Sequence, residues 1–414
     1  MRAFIEKIFA VAMLFYMTGA VFPYLESYAE SRAVPARVGL AVAFYAIAAG
    51  FILLRWHTVL LRTWDCKWLV ALALLAVVSS AWSQDSVKTV KYGLLYFAAT
   101  LYGIYFGSRY SPREQLRLLG WACGLTVLAS FMVVILLPKY GLDHGSFLGS
   151  WQGAFLQKNI LARSMVLSVL VFYFLRQSIP NWVRWLGMGT SLALLVLSRS
   201  VTGSLVLTAT LILVFLSRVL VRVLRERHTF SIPTLAMGSV LAAGAAFGVL
   251  QYVPDLLRLF GRDTTLTGRV GLWKAVLPSI TKHLWLGYGF EAFWTGLKGE
   301  SFWVISQIDW IPLHGHNFFV DLMLYLGVTG VAVFLIGYIG LWRRALQIST
   351  PVDGPLTLWL FAYLIFMMVC NLDESCLKIP YTIFWVLYTS TAVTISMCAT
   401  ASRGAQTSAA TYEY

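Results

Sequence analysis

Charge is scarce in this sequence. Only 12% of its 414 residues are Asp, Glu, Lys or Arg, and 18 residues are acidic. Against them stand 59% hydrophobic residues and a mean hydropathy of +0.74. A soluble domain of this length keeps too many residues near water to hide that much apolar surface. The five cysteines (Cys66, Cys123, Cys370, Cys376 and Cys398) show no metal-ligand spacing. Cys370 and Cys376 lie near one expected membrane face, where they would pair if that face is oxidising or stay as two core thiols. A Gly-rich nucleotide loop is missing. No internal repeat is visible. No small-residue cleavage site follows the first apolar run, so that run reads as a retained helix. The apolar runs do not alternate, which excludes the pattern of a transmembrane barrel.

What remains is a polytopic, all-α membrane protein. In lipid each backbone polar group must be satisfied within its own segment, so apolar runs of about 20 residues mean helices. About twelve are expected, near residues 4–22, 38–54, 68–82, 90–107, 116–137, 160–176, 182–198, 201–224, 233–252, 316–342, 355–370 and 380–398. The 16 Trp, 20 Tyr and 26 Phe suit aromatic belts at two interfaces.

Net charge is +14. In a membrane protein this reads as the positive-inside bias plus an anionic ligand, not nucleic acid. The cations alternate from one loop to the next. Arg2, Lys7, Arg55, Arg62, Arg109, Arg113, the Arg218 to Arg227 cluster, Arg343, Arg344 and others fall on one side, with both termini. The opposite short loops hold fewer. That places a long loop, residues 253–315, on the outer face. The expected organisation is transmembrane helices 1–9 over residues 1–252, the outer loop over 253–315, helices 10–12 over 316–398 and a cytoplasmic tail over 399–414. The loop is rich in Trp and Phe with few Ser or Pro, unlike a disordered linker. Long loops of that kind are usually functional. Within it, Val270, Leu272, Trp273, Val276, Leu277 and Ile280 have helical spacing, which suits a helix along the membrane surface.

Four outward features carry the chemistry. Arg199 sits in a polar break, Ser198-Arg199-Ser200-Val201-Thr202. Lys158-Asn159 opens one helix, with Arg163 following. Arg269 and Trp273 lie in the outer loop. His314-Gly315-His316-Asn317 opens another helix, with Asp321 a turn later. A lysine at a helix end often merely snorkels to the interface, and a lone histidine there is more often interfacial than catalytic. Arg199 is harder to explain away, since ionisable groups close to hydrocarbon are usually functional. His314 and His316 form a His-x-His pair with no evident third ligand, Asp309 and Asp321 being loosely placed, so no metal is expected. Glu291, Glu300 and Asp309 offer a second acid or base, and nothing in their spacing selects one. Arginines and a lysine on one face suit a diphosphate, which guanidinium groups meet bidentately. A nearby histidine accepts a hydroxyl proton at neutral pH. Together they describe group transfer from a membrane-anchored diphosphate to an alcohol.

These residues resemble the O-antigen ligase and Wzy-type polymerase superfamily. Its signature is His with Asn, Ser or Gln, nine residues, then Gly-x-x-Gly. Here it reads His316-Asn317 and Gly327-Val328-Thr329-Gly330. An arginine before a tryptophan and a Gly-x-Gly in the outer loop correspond to Arg269, Trp273 and Gly287-Tyr288-Gly289. A second arginine in a Ser-Arg turn corresponds to Arg199. Exopolysaccharide polymerases of the succinoglycan type are more similar still. They share the Gly261 to Arg269 run, Leu286 to Gly289, Ala292-Phe293-Trp294, and Trp151 to Asn159, although Gln157 replaces the histidine they carry before the lysine. The resemblance covers residues 150–335.

The resemblance implies a metal-independent glycosyltransferase with a GT-C-like helical fold and no cofactor, in the bacterial inner membrane with a periplasmic active site. Its donor would be an oligosaccharide on undecaprenyl diphosphate. It would join lipid-linked repeats into exopolysaccharide or O-antigen, or, as an O-antigen ligase, pass the glycan to lipid A core of lipopolysaccharide. A flippase or transporter of an anionic lipid-linked glycan is a third reading that would not need His316. Chain-length regulator and flippase proteins are implied partners. His316, Arg269 and Arg199 are the expected catalytic residues. Lys158, Asn159, Arg163, Trp273, His314 and Asn317 are expected to bind the diphosphate and glycan.

Overall fold

A computed structural model describes residues 1–20, 33–145, 147–226, 267–308, 310–348, 354–377 and 382–411. Among these the chain is helical, and the extended pairing is limited to an isolated bridge between Leu142 and Trp151. The main helices are α1 (Arg2–Thr18), α2 (Ala33–Leu53), α3 (Trp56–Thr63), α4 (Lys67–Val78), α5 (Ser86–Arg109) and α6 (Pro112–Leu136). They continue as α7 (Lys158–Phe174), α8 (Asn181–Leu197), α9 (Val201–Glu226), α10 (Thr267–Lys282), α11 (Gly299–Ile305), α12 (Phe318–Ala345), α13 (Pro355–Asp373) and α14 (Ile383–Thr411).

The expected segment at 233–252 lies outside the described residues, as does most of the loop up to residue 266. Each of the other expected segments meets a helix, and the helical spacing around Trp273 is α10. Among the described residues five helices are long and apolar enough to cross a membrane: Pro112–Leu136, Val201–Arg218, Phe318–Ala345, Leu356–Asp373 and Ile383–Ser402. A sixth span arises if Gly39–Leu53 and Trp56–Thr63, bent by 92°, count as one. A multi-helix membrane protein follows from length and composition.

Local sequence explains where helices begin. Asp85 caps α5 by accepting from the Lys88 amide at 3.0 Å. Ser111 and Glu114 form a reciprocal capping box for α6, with Pro112 at its first position. The interior is aromatic. Tyr96 of α5 stacks on Trp385 of α14 with centroids 4.3 Å apart, and the Trp385 indole donates to Thr100 Oγ1 at 2.9 Å. Close approach of these helices rests on Gly103 and Gly107, where an added Cβ would lie 2.7 Å from the Thr389 side chain and 2.8 Å from the Ser390 carbonyl. Small residues four apart are how membrane helices pack without a hydrophobic drive between them.

α5 also fixes the geography. Its N-terminal end meets the 288–294 segment, with Lys88 Nζ donating to the Trp294 carbonyl at 3.0 Å and, just before the helix, Gln84 N to the Tyr288 carbonyl at 3.1 Å. Its other end, Arg109, lies about 36 Å away along a 24-residue helix.

A candidate active site around Glu374

α12 is interrupted at Gly327, whose backbone turns to φ 62 and ψ −161. The break lets Val328 N donate to the Leu284 carbonyl at 2.8 Å. Opposite it, Tyr288 N donates to the Leu324 carbonyl at 2.8 Å and Gly289 N to the Tyr325 carbonyl at 3.0 Å. A Cβ at Gly327 would sit 2.3 Å from the Trp285 carbonyl carbon, and one at Gly287 would sit 2.5 Å from that of Tyr325. The Gly-x-x-Gly and Gly-x-Gly motifs therefore dock backbone to backbone. They tie the 284–289 segment to the helix that follows His316.

Immediately before that helix, Asn317 is its cap. Its Oδ1 accepts from the Phe319 amide at 2.9 Å and the Val320 amide at 3.2 Å, while its Nδ2 donates to the Leu372 carbonyl at 2.9 Å. Both side-chain ends are thus occupied in holding the loop to the end of α13. Trp273 on α10 does similar work, its indole donating to the Gly315 carbonyl at 2.8 Å. Asp321 is buried. It accepts from the Gly315 amide at 2.8 Å and the Trp294 indole at 2.7 Å, and also from the Ser375 hydroxyl. Backbone and side chains around His316 are fixed from three directions, and His316 itself holds a left-handed φ of 47. That conformation is rare for a residue with a Cβ and persists only where its surroundings impose it.

The carboxylate beside His316 is Glu374, the residue that ends α13. His316 Nδ1 lies 3.0 Å from Glu374 Oε1, and His314 Nε2 lies 3.6 Å from Oε2. Arg269 Nη2 donates to Oε1 at 3.1 Å, and Arg163 Nη1 is 3.9 Å from Oε2. Arg269 also donates to the Asp373 carboxylate and, at 2.7 Å, to the Asp373 carbonyl. Glu374 is buried. Burial alone would raise its carboxyl, but the hydrogen bond from His316 and the neighbouring His314, His316 and Arg269 hold it well below the ordinary carboxylate value.

An ionised Glu374 accepts and cannot donate, so the proton of a neutral His316 belongs on Nδ1. That leaves Nε2 with its lone pair free for an incoming hydroxyl. His314 follows the same logic in reverse: its Nδ1 accepts from the His316 amide at 3.1 Å, so its proton sits on Nε2, toward Glu374.

Of the residues singled out by sequence, Arg163, Arg269, His314 and His316 thus converge on one carboxylate. Arg163 is buried, and its Nε has no hydrogen-bond partner among the described residues. Lys158, Asn159 and Arg199 form a second group. Ser200 Oγ donates to Asn159 Oδ1 at 2.9 Å, Lys158 Nζ lies 3.4 Å above the Phe147 ring, and Arg199 is exposed with a left-handed φ of 50. α7 joins the groups, since Lys158 opens it and Arg163 follows about one and a half turns later.

Glu374 and Asp373 were not anticipated from sequence. The signal was present: two adjacent acids end an apolar run in a chain with 18 acids in all. Two other features bear on the expectations. The His-x-His pair does have a third potential ligand, because His314, His316 and Glu374 offer atoms within 4.8 Å of one another. Two guanidinium groups already face that carboxylate, which disfavours a divalent cation beside it. Cys370 and Cys376 are both free and buried, and Arg163 Nη1 lies 3.8 Å from the Cys376 sulfur. Of the alternative acids, Glu300 pairs with Lys282 at 3.1 Å, and Asp309 lies outside the described residues.

Comparison with known proteins bears on the same stretch. The family model described as O-Antigen ligase matches residues 186–335, which include Arg199, Arg269, His316 and both glycine motifs. The exopolysaccharide production protein ExoQ of Rhizobium meliloti (strain 1021) is 23% identical over 322 residues, covering 74% of this chain and 72% of that protein. The resemblance to the O-antigen ligase and Wzy-type group that the motifs carry is supported by both.

Proposed function

We propose that this chain, a polytopic membrane protein of the O-antigen ligase and Wzy type, is a glycosyltransferase that joins oligosaccharide repeats carried on undecaprenyl diphosphate. The observation that carries the reading is the pairing of His316 Nδ1 with the Glu374 carboxylate at 3.0 Å, which aims a basic Nε2 outward. The acceptor hydroxyl gives its proton to His316 Nε2 as its oxygen forms a bond to the anomeric carbon of the donor. The anomeric C–O bond breaks, and the electron pair leaves on undecaprenyl diphosphate. Arg199 and Lys158, exposed and half-buried, meet the charge that grows on that diphosphate. Arg269 adds positive charge from the buried side. Through Asp373 and Glu374 it also sets where His316 stands. His314 and Arg163 support Glu374, Trp273 and Asn317 hold the His316 turn in place, and Asn159 stands with the Arg199 turn through Ser200, and the chemistry needs neither metal nor cofactor.

Twelve spans with both termini in the cytoplasm suit the alternating cations, with residues 253–315 on the periplasmic side of the inner membrane. The same clamp and base would serve a ligase that passes the glycan to lipid A core, and the family described over 186–335 favours keeping that second reading. Similarity to an exopolysaccharide production protein across most of the chain favours polymerisation. Incubating purified protein with a lipid-linked repeat alone decides between them. A ladder of products is expected. Product that forms only after lipid A core is added would make the enzyme a ligase, and no glycosyl transfer in either case would refute both.

A further inference from the structure

At the end of the bundle opposite His316, the first turns of α1, the elbow between α2 and α3 and the last residue of α5 enclose a cavity of about 580 Å³. Its charged lining is Arg2, Glu6, Arg55 and Arg109, with Trp56 and His57 beside them. Three guanidinium groups face one carboxylate. Glu6 is buried and already committed, with Arg109 Nε at 2.6 Å and Arg2 Nε at 3.6 Å. Arg55 is left over. Its Nε is buried with no hydrogen-bond partner among the described residues. Buried polar groups are nearly always satisfied, so an orphaned guanidinium nitrogen in a cavity points to a missing acceptor. The excess of two positive charges says that the acceptor is anionic, and the guanidinium geometry favours phosphate.

The surroundings say how that phosphate arrives. The cavity borders exposed apolar side chains: Leu54 lines it, and Phe4, Ile5, Ile8 and Leu53, neighbours in sequence of its lining residues, are exposed on α1 and α2. A phosphate bearing acyl chains satisfies both halves of this surface, where a free anion satisfies only the polar half. We propose that Arg2, Arg55 and Arg109 hold the phosphoryl headgroup of an anionic phospholipid, whose chains lie against α1 and α2. Basic pockets between helices on the cytoplasmic side are where such headgroups bind. The lipid would bridge α1, the bent α2–α3 pair and α5, the helix whose other end supports the outer loop. The site is separate from the groups assigned to glycosyl transfer, and its test does not depend on that activity.

The test uses the full chain, purified in neutral detergent and stripped of lipid, with native mass spectrometry and thermal unfolding as readouts. Phosphatidylglycerol should be retained and should raise the unfolding midpoint, while phosphatidylcholine should bind about tenfold more weakly, as expected when charge-assisted contacts are lost. Arg55→Gln should weaken phosphatidylglycerol binding by a similar factor. Arg2→Gln should weaken it too, and because the Arg2 side chain is 64% exposed, that variant guards against simple misfolding. Equal binding of the two lipids, or unchanged phosphatidylglycerol binding in both variants, would overturn the proposal. Inorganic phosphate alone should neither raise the midpoint nor displace phosphatidylglycerol. If it does both, the ligand is a free anion and the lipid assignment fails.

Discussion

His316 and Glu374 stand 58 positions apart in sequence, yet the imidazole Nδ1 lies 3.0 Å from a carboxylate oxygen. Glu374 is held in turn by Arg269 at 3.1 Å, so an imidazole, a buried carboxylate and a guanidinium form one chain of contacts. A histidine oriented by a buried acid is the usual arrangement for accepting a hydroxyl proton and stabilising the imidazolium that results.

Removing the base should therefore cost rate rather than binding. His316→Ala is expected to lower turnover by about 10²–10⁴-fold while the lipid-linked donor still binds. His314→Ala should lose less, because its ring supports Glu374 from the longer distance of 3.6 Å. Turnover and donor binding measured on both variants, with and without EDTA, check this. Near-normal turnover of His316→Ala would end the base assignment, and zinc-reversible inhibition by EDTA would turn the His314, His316 and Glu374 cluster into a metal site.

Glu374→Gln should reduce turnover by about 10–100-fold with little change in donor affinity, the effect expected of a positioning group. Its pH signature follows from the direction of its shift. A carboxyl held below its ordinary value contributes stability that is fully present above that value and is lost as pH falls through the lower folded value. The gap in unfolding midpoint between wild type and Glu374→Gln should stay constant from about pH 8 to about pH 5 and narrow below about pH 4. A gap that already closes near pH 6 would mean that Glu374 is not a carboxylate at working pH.

The two arginines should respond differently to lysine. Arg269 spans Asp373 and Glu374 with separate nitrogens, which one ammonium cannot reproduce, so Arg269→Lys should lower both stability and turnover. Arg269→Ala, removing the guanidinium that Asp373 and Glu374 share, should cost about 3–5 kcal/mol. Arg199 is exposed, so Arg199→Lys should leave the unfolding midpoint unchanged and lower turnover alone. Full activity of both lysine variants would reduce the arginines to a generic positive field.

Gly327→Ala tests the docking of the glycine motifs. Its Cβ would meet the Trp285 backbone at 2.3 Å in a left-handed backbone conformation, so a loss of at least about 1–3 kcal/mol is expected, with turnover falling as the outer loop shifts. Gly340→Ala, with nothing within 4 Å, is the control and should be close to neutral. Equal midpoints for the two variants would show that the loop does not depend on this contact.

Orientation is checked by a cysteine at Lys298, which should react with a membrane-impermeant thiol reagent in intact cells. Labelling that needs lysis would reverse the topology and move the chemistry to the other face.

The sequence alone determined the helices and the cast of cations. Apolar runs in a charge-poor chain have one way to satisfy their backbone in lipid, so α1, α2, α4 to α9 and α12 to α14 are legible as hydropathy, whereas the short α3, between the expected segments 38–54 and 68–82, is not. His316, Arg269 and Arg199 were legible because charge near hydrocarbon is costly and the His316 to Gly330 spacing is specific. Tertiary structure decided what those residues do to one another. Glu374 reads as a loop acid until α13 ends beside the His314–Asn317 turn. Asn317 reads as a binding residue until its amide is seen capping α12 and holding the Leu372 carbonyl. Gly327 reads as part of a signature until the Trp285 backbone fills the place of its side chain. Each depends on a contact between segments distant in sequence. Hydropathy fixes which segments enter the membrane, but neither their order around the bundle nor which loop ends meet, and that choice is made by packing.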